Sequence, residues 1–218
     1  MDNSKTLSME DFYELSSCNY LTTFYAETEL YSGLIPPEKR EAAYAYDYAL
    51  KWGDYESNPE VKFPIVWRES RYDSGKKMRD ILDNRSISFF LISDRLKKVL
   101  EDNIITGWKS YPIIIYDKKG NLVEGYNGFS VTGRAGDFIS DTPFLKYKDI
   151  KDWYKEGGVG SYFDLSTWDG SDIFKLSNVG MIIVTEKVIK LFKEHKITAC
   201  EYVKVSEYGI WKKEKIIR

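Results

Sequence analysis

LISDRLKKVLEDNIITGW, residues 91–108, and IVTEKVIKLFKEHKITAC, residues 183–200, align without a gap at an offset of 92. The first six pairs are conservative: Leu91/Ile183, Ile92/Val184, Ser93/Thr185, Asp94/Glu186, Arg95/Lys187 and Leu96/Val188. Ile105/Ile197 and Thr106/Thr198 are identical. Each copy reads as an apolar strand ending at a hydroxyl that can cap a helix. An acid follows in the first turn, where the helix dipole favours it. Leu96, Val99 and Leu100 fall on one helical face, as do Val188, Leu191 and Phe192. The helices should stop near Asn103 and His195, each before an Ile-Thr segment and a further strand, YPIIIY (111–116) or EYVKV (201–205). Two strand–helix–strand units are therefore expected, at 86–116 and 179–209. Capping grammar alone produces some of this likeness, but the match runs past the helix, which favours a duplication.

Outward from these units, the chain reads as a single α+β domain over 1–218. A mixed β-sheet with helices packed on one side is expected. With 218 residues, 43% hydrophobic and 30% charged, it can bury a sizeable core. Residues 1–70 hold 13 acidic and 6 basic side chains, and residues 71–218 hold 21 and 26, so the first third is anionic. PPEKREAAYAYDYALKWG (36–53) predicts a helix opened by Pro37 and stopped by Gly53, with Ala42, Ala45, Tyr46, Ala49 and Leu50 on one face. Ser8 with Asp11 is a capping pair. YLTTFYAETELY (20–31) and VKFPIVWR (61–68) read as strands, the Pro placing the second at an edge or a strand start. Asp117 to Asn121 reads as a hairpin turn with Gly120 or Asn121 at positive φ. The stretch from Arg134 to Phe163 is loop-rich.

The polar start has no signal-peptide pattern, and no apolar run spans a bilayer, so a cytoplasmic protein off the membrane is expected. Cys18 and Cys200 have no zinc spacing, though a bridge between them stays open. No Lys/Arg block interleaves with aromatics, which argues against nucleic acid. The lone His195 sits at a predicted helix end, a structural position, and leaves no triad and no histidine metal site. No phosphate-binding glycine loop is present, and no cofactor or metal is expected. DLSTWDGSDIF (164–174) has three carboxylates, Asp164, Asp169 and Asp172. They could serve a hydrolase or hold a hard cation. More simply, Asp169-Gly170 makes a turn and Asp172 bonds nearby backbone. The 17 Tyr, 11 Phe and 6 Trp suit a recognition surface, for a protein or alternatively a glycan or small ligand.

WDGSDIF (168–174), a short spacer and IIVTEKVIKLFKEHKITACEYVKV (182–205) resemble the closing segment of bacterial immunity proteins of polymorphic toxin systems, the classes numbered eleven and forty-three. SGKKMRDIL (74–82) and FLISDRLKKVLED (90–102) are similar to the upstream part of that pattern. The resemblance covers roughly 74–115 and 164–208. It implies a non-enzymatic protein that binds a cognate toxin, with no catalytic residues. Trp168, Asp169 and Asp172, backed by Tyr126 and Trp153, are the expected partner contacts.

Overall fold

The computed structural model describes residues 7–17, 22–28, 40–59, 61–71, 74–82, 84, 90–140, 161–207 and 214–216. The architecture is α+β, with three helices among these residues: α1 (Arg40–Trp52), α2 (Asp94–Asp102) and α3 (Glu186–Glu194). None of them is long and apolar enough to cross a membrane. A six-stranded sheet runs in the order β10 (Gly133–Ala135), β13 (Ile173–Leu176), β14 (Ile182–Thr185), β1 (Phe12–Ser17), β15 (Cys200–Lys204) and β16 (Glu214–Ile216). One four-stranded sheet runs β4 (Ile81–Leu82), β5 (Phe90–Ser93), β9 (Tyr126–Val131) and β6 (Trp108–Tyr111). Another runs β2 (Ala26–Glu27), β3 (Ile65–Glu69), β7 (Ile113–Tyr116) and β8 (Leu122–Val123), and β11 (Ile139–Ser140) pairs with β12 (Ser161–Tyr162).

The two aligned segments sit in different sheets, yet their pairings coincide. Ile81 faces Ile92 and Leu82 faces Leu91; at the same offset Ile173 faces Val184 and Phe174 faces Ile183. β9 lies between β5 and β6, and β1 lies between β14 and β15. Ser93 opposes Tyr126 and Thr185 opposes Phe12; Tyr111 opposes Gly128 and Val203 opposes Glu14. Two four-stranded modules of one register result, β4-β5-β9-β6 and β13-β14-β1-β15. The third strand of the first follows its helix in sequence, whereas the third strand of the second comes from the far upstream segment β1.

Each helix ends in the same way. Ile104 (φ 50°) and Lys196 (φ 53°) are left-handed, and Gly107 (φ 85°) and Ala199 (φ 64°) repeat that at the next equivalent position. Ile105 N–H donates to Leu100 C=O and Ile104 N–H to Glu101 C=O; Ile197 to Phe192 and Lys196 to Lys193 are the counterparts. This double bond pattern is the Schellman closure, which favours glycine at the left-handed position. Ile104 is 78% exposed there. Ile104→Gly is therefore expected to raise stability by about 0.5–1 kcal/mol, read as a shift of the urea midpoint at constant m. A loss of stability would mean that the Ile104 side chain contributes more than its backbone strain costs.

α2 and α3 bury their apolar faces in one shared core, where Leu96, Val99 and Leu100 meet Val188, Leu191 and Phe192. Strand alternation sends Leu91 of β5 to the opposite side, into a second core with Leu50 of α1, Trp67 and Tyr111. α1 ends at Gly53 (φ 65°) as expected, whereas the expected opening at Pro37 lies outside the described residues. The segment after α2 departs from expectation: the next strand is Trp108–Tyr111, and Ile113–Tyr116 joins another sheet. Pro112 lies between them, and with no N–H to donate it breaks the ladder where the chain changes sheets. Pro64 stands just before β3, a strand start, and β3 is internal, flanked by β2 and β7. Ser8 and Asp11 do form a capping box, but it closes only one 3₁₀ turn before β1 begins. The hairpin of β7 and β8 turns at Gly120 (φ 84°), with Asp117 accepting from Lys119 and Asn121.

Candidate partner-binding surface

The three aspartates of 164–174 are held by three separate sets of partners. Asp164 caps a 3₁₀ turn, accepting from the N–H and Oγ of Ser166. Asp169 accepts from Arg134 N–H (2.8 Å) and Ser171 N–H (2.9 Å), and Gly170 turns at φ 84°. Asp172 does not bond nearby backbone. Its carboxylate accepts from Thr106 N–H (3.0 Å) and Oγ1 (3.2 Å), Lys187 Nζ (3.0 Å) and Thr185 Oγ1 (3.4 Å). The reason is tertiary: the end of the first unit packs where a local Asx bond would have formed. Among the described residues, no group of three or more His, Cys, Asp or Glu is placed to hold a metal ion.

Asp80 stands 92 residues before Asp172 and plays the reciprocal part. It accepts from Ser93 Oγ (2.9 Å) and Arg95 Nε (3.0 Å) in its own module, and from Thr198 N–H (2.9 Å) and Oγ1 (2.8 Å) in the other. Both aspartate N–H groups return a bond of 3.0 Å to the opposite threonine, Asp80 to Thr198 and Asp172 to Thr106. Each module thus latches onto the other through equivalent residues, the arrangement of an isologous contact. Burial alone would raise the Asp80 carboxyl, but the bonds from Arg95, Thr198 and Ser93 outweigh it and hold it below the usual range. His195 occupies the α3 C-cap, its carbonyl accepting from Arg95 Nη1.

The expected contact aromatics are partly spoken for. Trp168 is half-buried against Phe12 (5.1 Å between centroids) and donates its indole N–H to Ser171 C=O. Tyr126 is half-buried and donates to Arg79 C=O, and burial raises its hydroxyl pKa. Trp153 and Cys18 lie outside the described residues; Cys200 is buried in β15. Asp169 remains exposed, and its bond to Arg134 places the 168–170 bend beside β10.

Sequence reasoning passed over the outer face of α1. Tyr44, Tyr48 and Trp52 recur every four residues and form one ridge. Tyr44 is 71% and Tyr48 61% exposed, while the neighbouring Tyr46 turns inward and packs against the second core. The signal was present: the tyrosines alternate, 44, 46 and 48, so a helix cannot bury them all. The ridge ends in an open cleft of ≈510 Å³ lined by Tyr48, Trp52, Asp54, Lys109 and Arg134. Register builds it, because Arg134 of β10 pairs with Lys175 of β13 and both reach the C-terminal end of α1. Arg134 Nη2 donates to Trp52 C=O (2.8 Å) and Lys175 Nζ to Lys51 C=O (2.6 Å), where the helix dipole favours cations. The guanidinium lies 4.5 Å from the Trp52 ring centroid, with Lys175 at 5.5 Å and Lys51 at 5.7 Å. Burial, with repulsion from Lys51 and Arg134, pushes the Lys175 amine down to about 6.

The pattern of the Imm11 immunity protein family matches residues 32–207. No curated protein matches the chain.

Proposed function

This chain belongs to the Imm11 immunity protein family, and from that premise we propose that it is a non-enzymatic cytoplasmic protein that binds a cognate toxin domain and neutralises it. The observation that carries the reading is the extent of the match, which takes in α1, both aligned helices and the β13 bend. Two features of the molecule support it. The aspartates with the best claim to catalysis hold backbone and threonines in place, so they contribute to rigidity. Exposed rings on a braced helix are the kind of surface from which interface anchors are drawn.

The test is co-expression with the toxin encoded beside this chain's gene. The expected result is survival of cells that the toxin alone kills, and a stable complex of immunity protein and toxin domain on size-exclusion chromatography. Cell death with both proteins soluble, and no co-elution, would overturn the proposal.

A further inference from the structure

Lys109 and Arg134 line the cleft and Lys51 lies beside it, over the Trp52 ring; none of the three forms an ion pair with a carboxylate among the described residues. Asp47, Asp54 and Asp169 act on these charges through space, and Asp169 also accepts from the Arg134 backbone N–H. Asp54 is engaged with Ser57. The cations are nonetheless held in position. Arg134 Nη1 donates to Val131 C=O (3.0 Å) and Gly133 C=O (2.8 Å) while its plane covers Trp52. Lys109 Nζ sits 4.8 Å above the Tyr55 ring. Carbonyls and rings orient a cation without neutralising it, so its attraction for an anion is retained. The depressed amine of Lys175 just beneath is consistent with that local positive field, in addition to its burial. Beside the cleft stand two tyrosines with most of their surface in solvent.

We propose that this cleft receives an acidic side chain of the toxin domain, a Glu or Asp carboxylate placed between Lys109 and Arg134, while Tyr44 and Tyr48 pack over the partner's surrounding surface. The proposal rests on the immunity reading above and adds where and by what chemistry the toxin is held. The cleft, at ≈510 Å³, has room for a carboxylate side chain together with its neighbours. The ridge supplies the water-excluding contact that makes a charge pair worth more than it would be in bulk solvent. This surface differs from the one expected from sequence around Trp168, Asp169 and Asp172: its centre is cationic and aromatic, with Asp169 at its margin.

The test titrates the purified toxin domain, inactivated at its own catalytic residue, into the full-length protein by calorimetry. Lys51→Glu/Lys109→Glu is expected to weaken binding at least 100-fold and Tyr48→Ala about 10-fold, with thermal unfolding unchanged. Wild-type affinity should fall as NaCl rises, and the double charge reversal should lose most of that dependence. Lys98→Glu and Lys190→Glu, on the exposed sides of α2 and α3, should bind as wild type. Lys51→Gln/Lys109→Gln gives a milder pair should the reversal disturb folding. If wild type binds and every cleft variant stays within threefold of it, the cleft assignment is wrong and the immunity reading stands. If only Tyr48→Ala weakens binding and salt has no effect, the carboxylate is wrong. If wild type itself fails to bind, both proposals fall.

Discussion

A chain shortened to begin at residue 22 is expected not to fold, although it keeps the whole segment matched by the immunity family. The lost strand, β1, is internal. Its residues pair with β14 on one side and β15 on the other. Removing it exposes two ladder edges in the middle of a six-stranded sheet, and unpaired edges template aggregation. It also removes Phe12, which is fully buried in a third core with Phe163, Phe174 and Ile183 and meets Phe163, Trp168 and Phe174 edge-on at 5.1–5.7 Å. The point variant Phe12→Ala should by itself cost about 3–5 kcal/mol, by lost transfer energy and the cavity left behind. The measurement is soluble yield and cooperative thermal unfolding of the truncated chain beside wild type. A soluble truncation that melts in one sharp transition would show that the second module closes without its borrowed strand.

Asp80→Ala should be the most damaging single change to a polar residue, at about 3 kcal/mol. The side chain is 7% exposed and serves five bonds to three residues, so its loss strands Thr198 N–H and the Ser93 hydroxyl as well as Arg95. Asp172→Ala should cost less, about 2 kcal/mol, because its carboxylate is more open to solvent than that of Asp80. Both latches hold the same inter-module contact, so the double variant should fall short of the sum of the two. The sign with pH follows from the lowered Asp80 carboxyl. Its folded pKa lies under the unfolded value of about 3.9, so its contribution is complete above that value and disappears as pH falls through the folded pKa. The gap between wild type and Asp80→Asn in urea unfolding should therefore be full at pH 7 and narrow below about pH 4. An equal gap at pH 7 and pH 2.5 would mean that the carboxylate's charge is not what the latch uses.

Sequence and structure agree most where the physics is local. A β-region residue with a hydroxyl, an acid in the next turn and an apolar face at helical spacing specify α2 and α3 whatever surrounds them. The α1 stop at Gly53 and the Gly120 turn were equally legible, because positive φ is a single-residue property. The cap bond itself shows where locality ends. Ser93 Oγ accepts from Leu96 N–H as its type suggests, whereas Thr185 makes no side-chain cap and donates to Asp172. The linear pattern of the aspartates specifies a bend, which Asp164 and Asp169 form, but it carries no sign of Thr106 beside Asp172, 66 residues away.

What the residue order alone determined is the pair of strand–helix units, their shared 92-residue spacing, the α+β class and the family pattern, since all of these reside in short windows of side-chain type. Tertiary structure alone decided that the units enter different sheets and share one core, that β1 completes the second module, and that Arg134, Lys175 and Lys51 meet around Trp52 with Lys109 across the cleft. The reason is range. Capping, turn and amphipathic preferences act over a few residues, whereas strand partners and charge clusters depend on which distant segments the burial of apolar surface brings together.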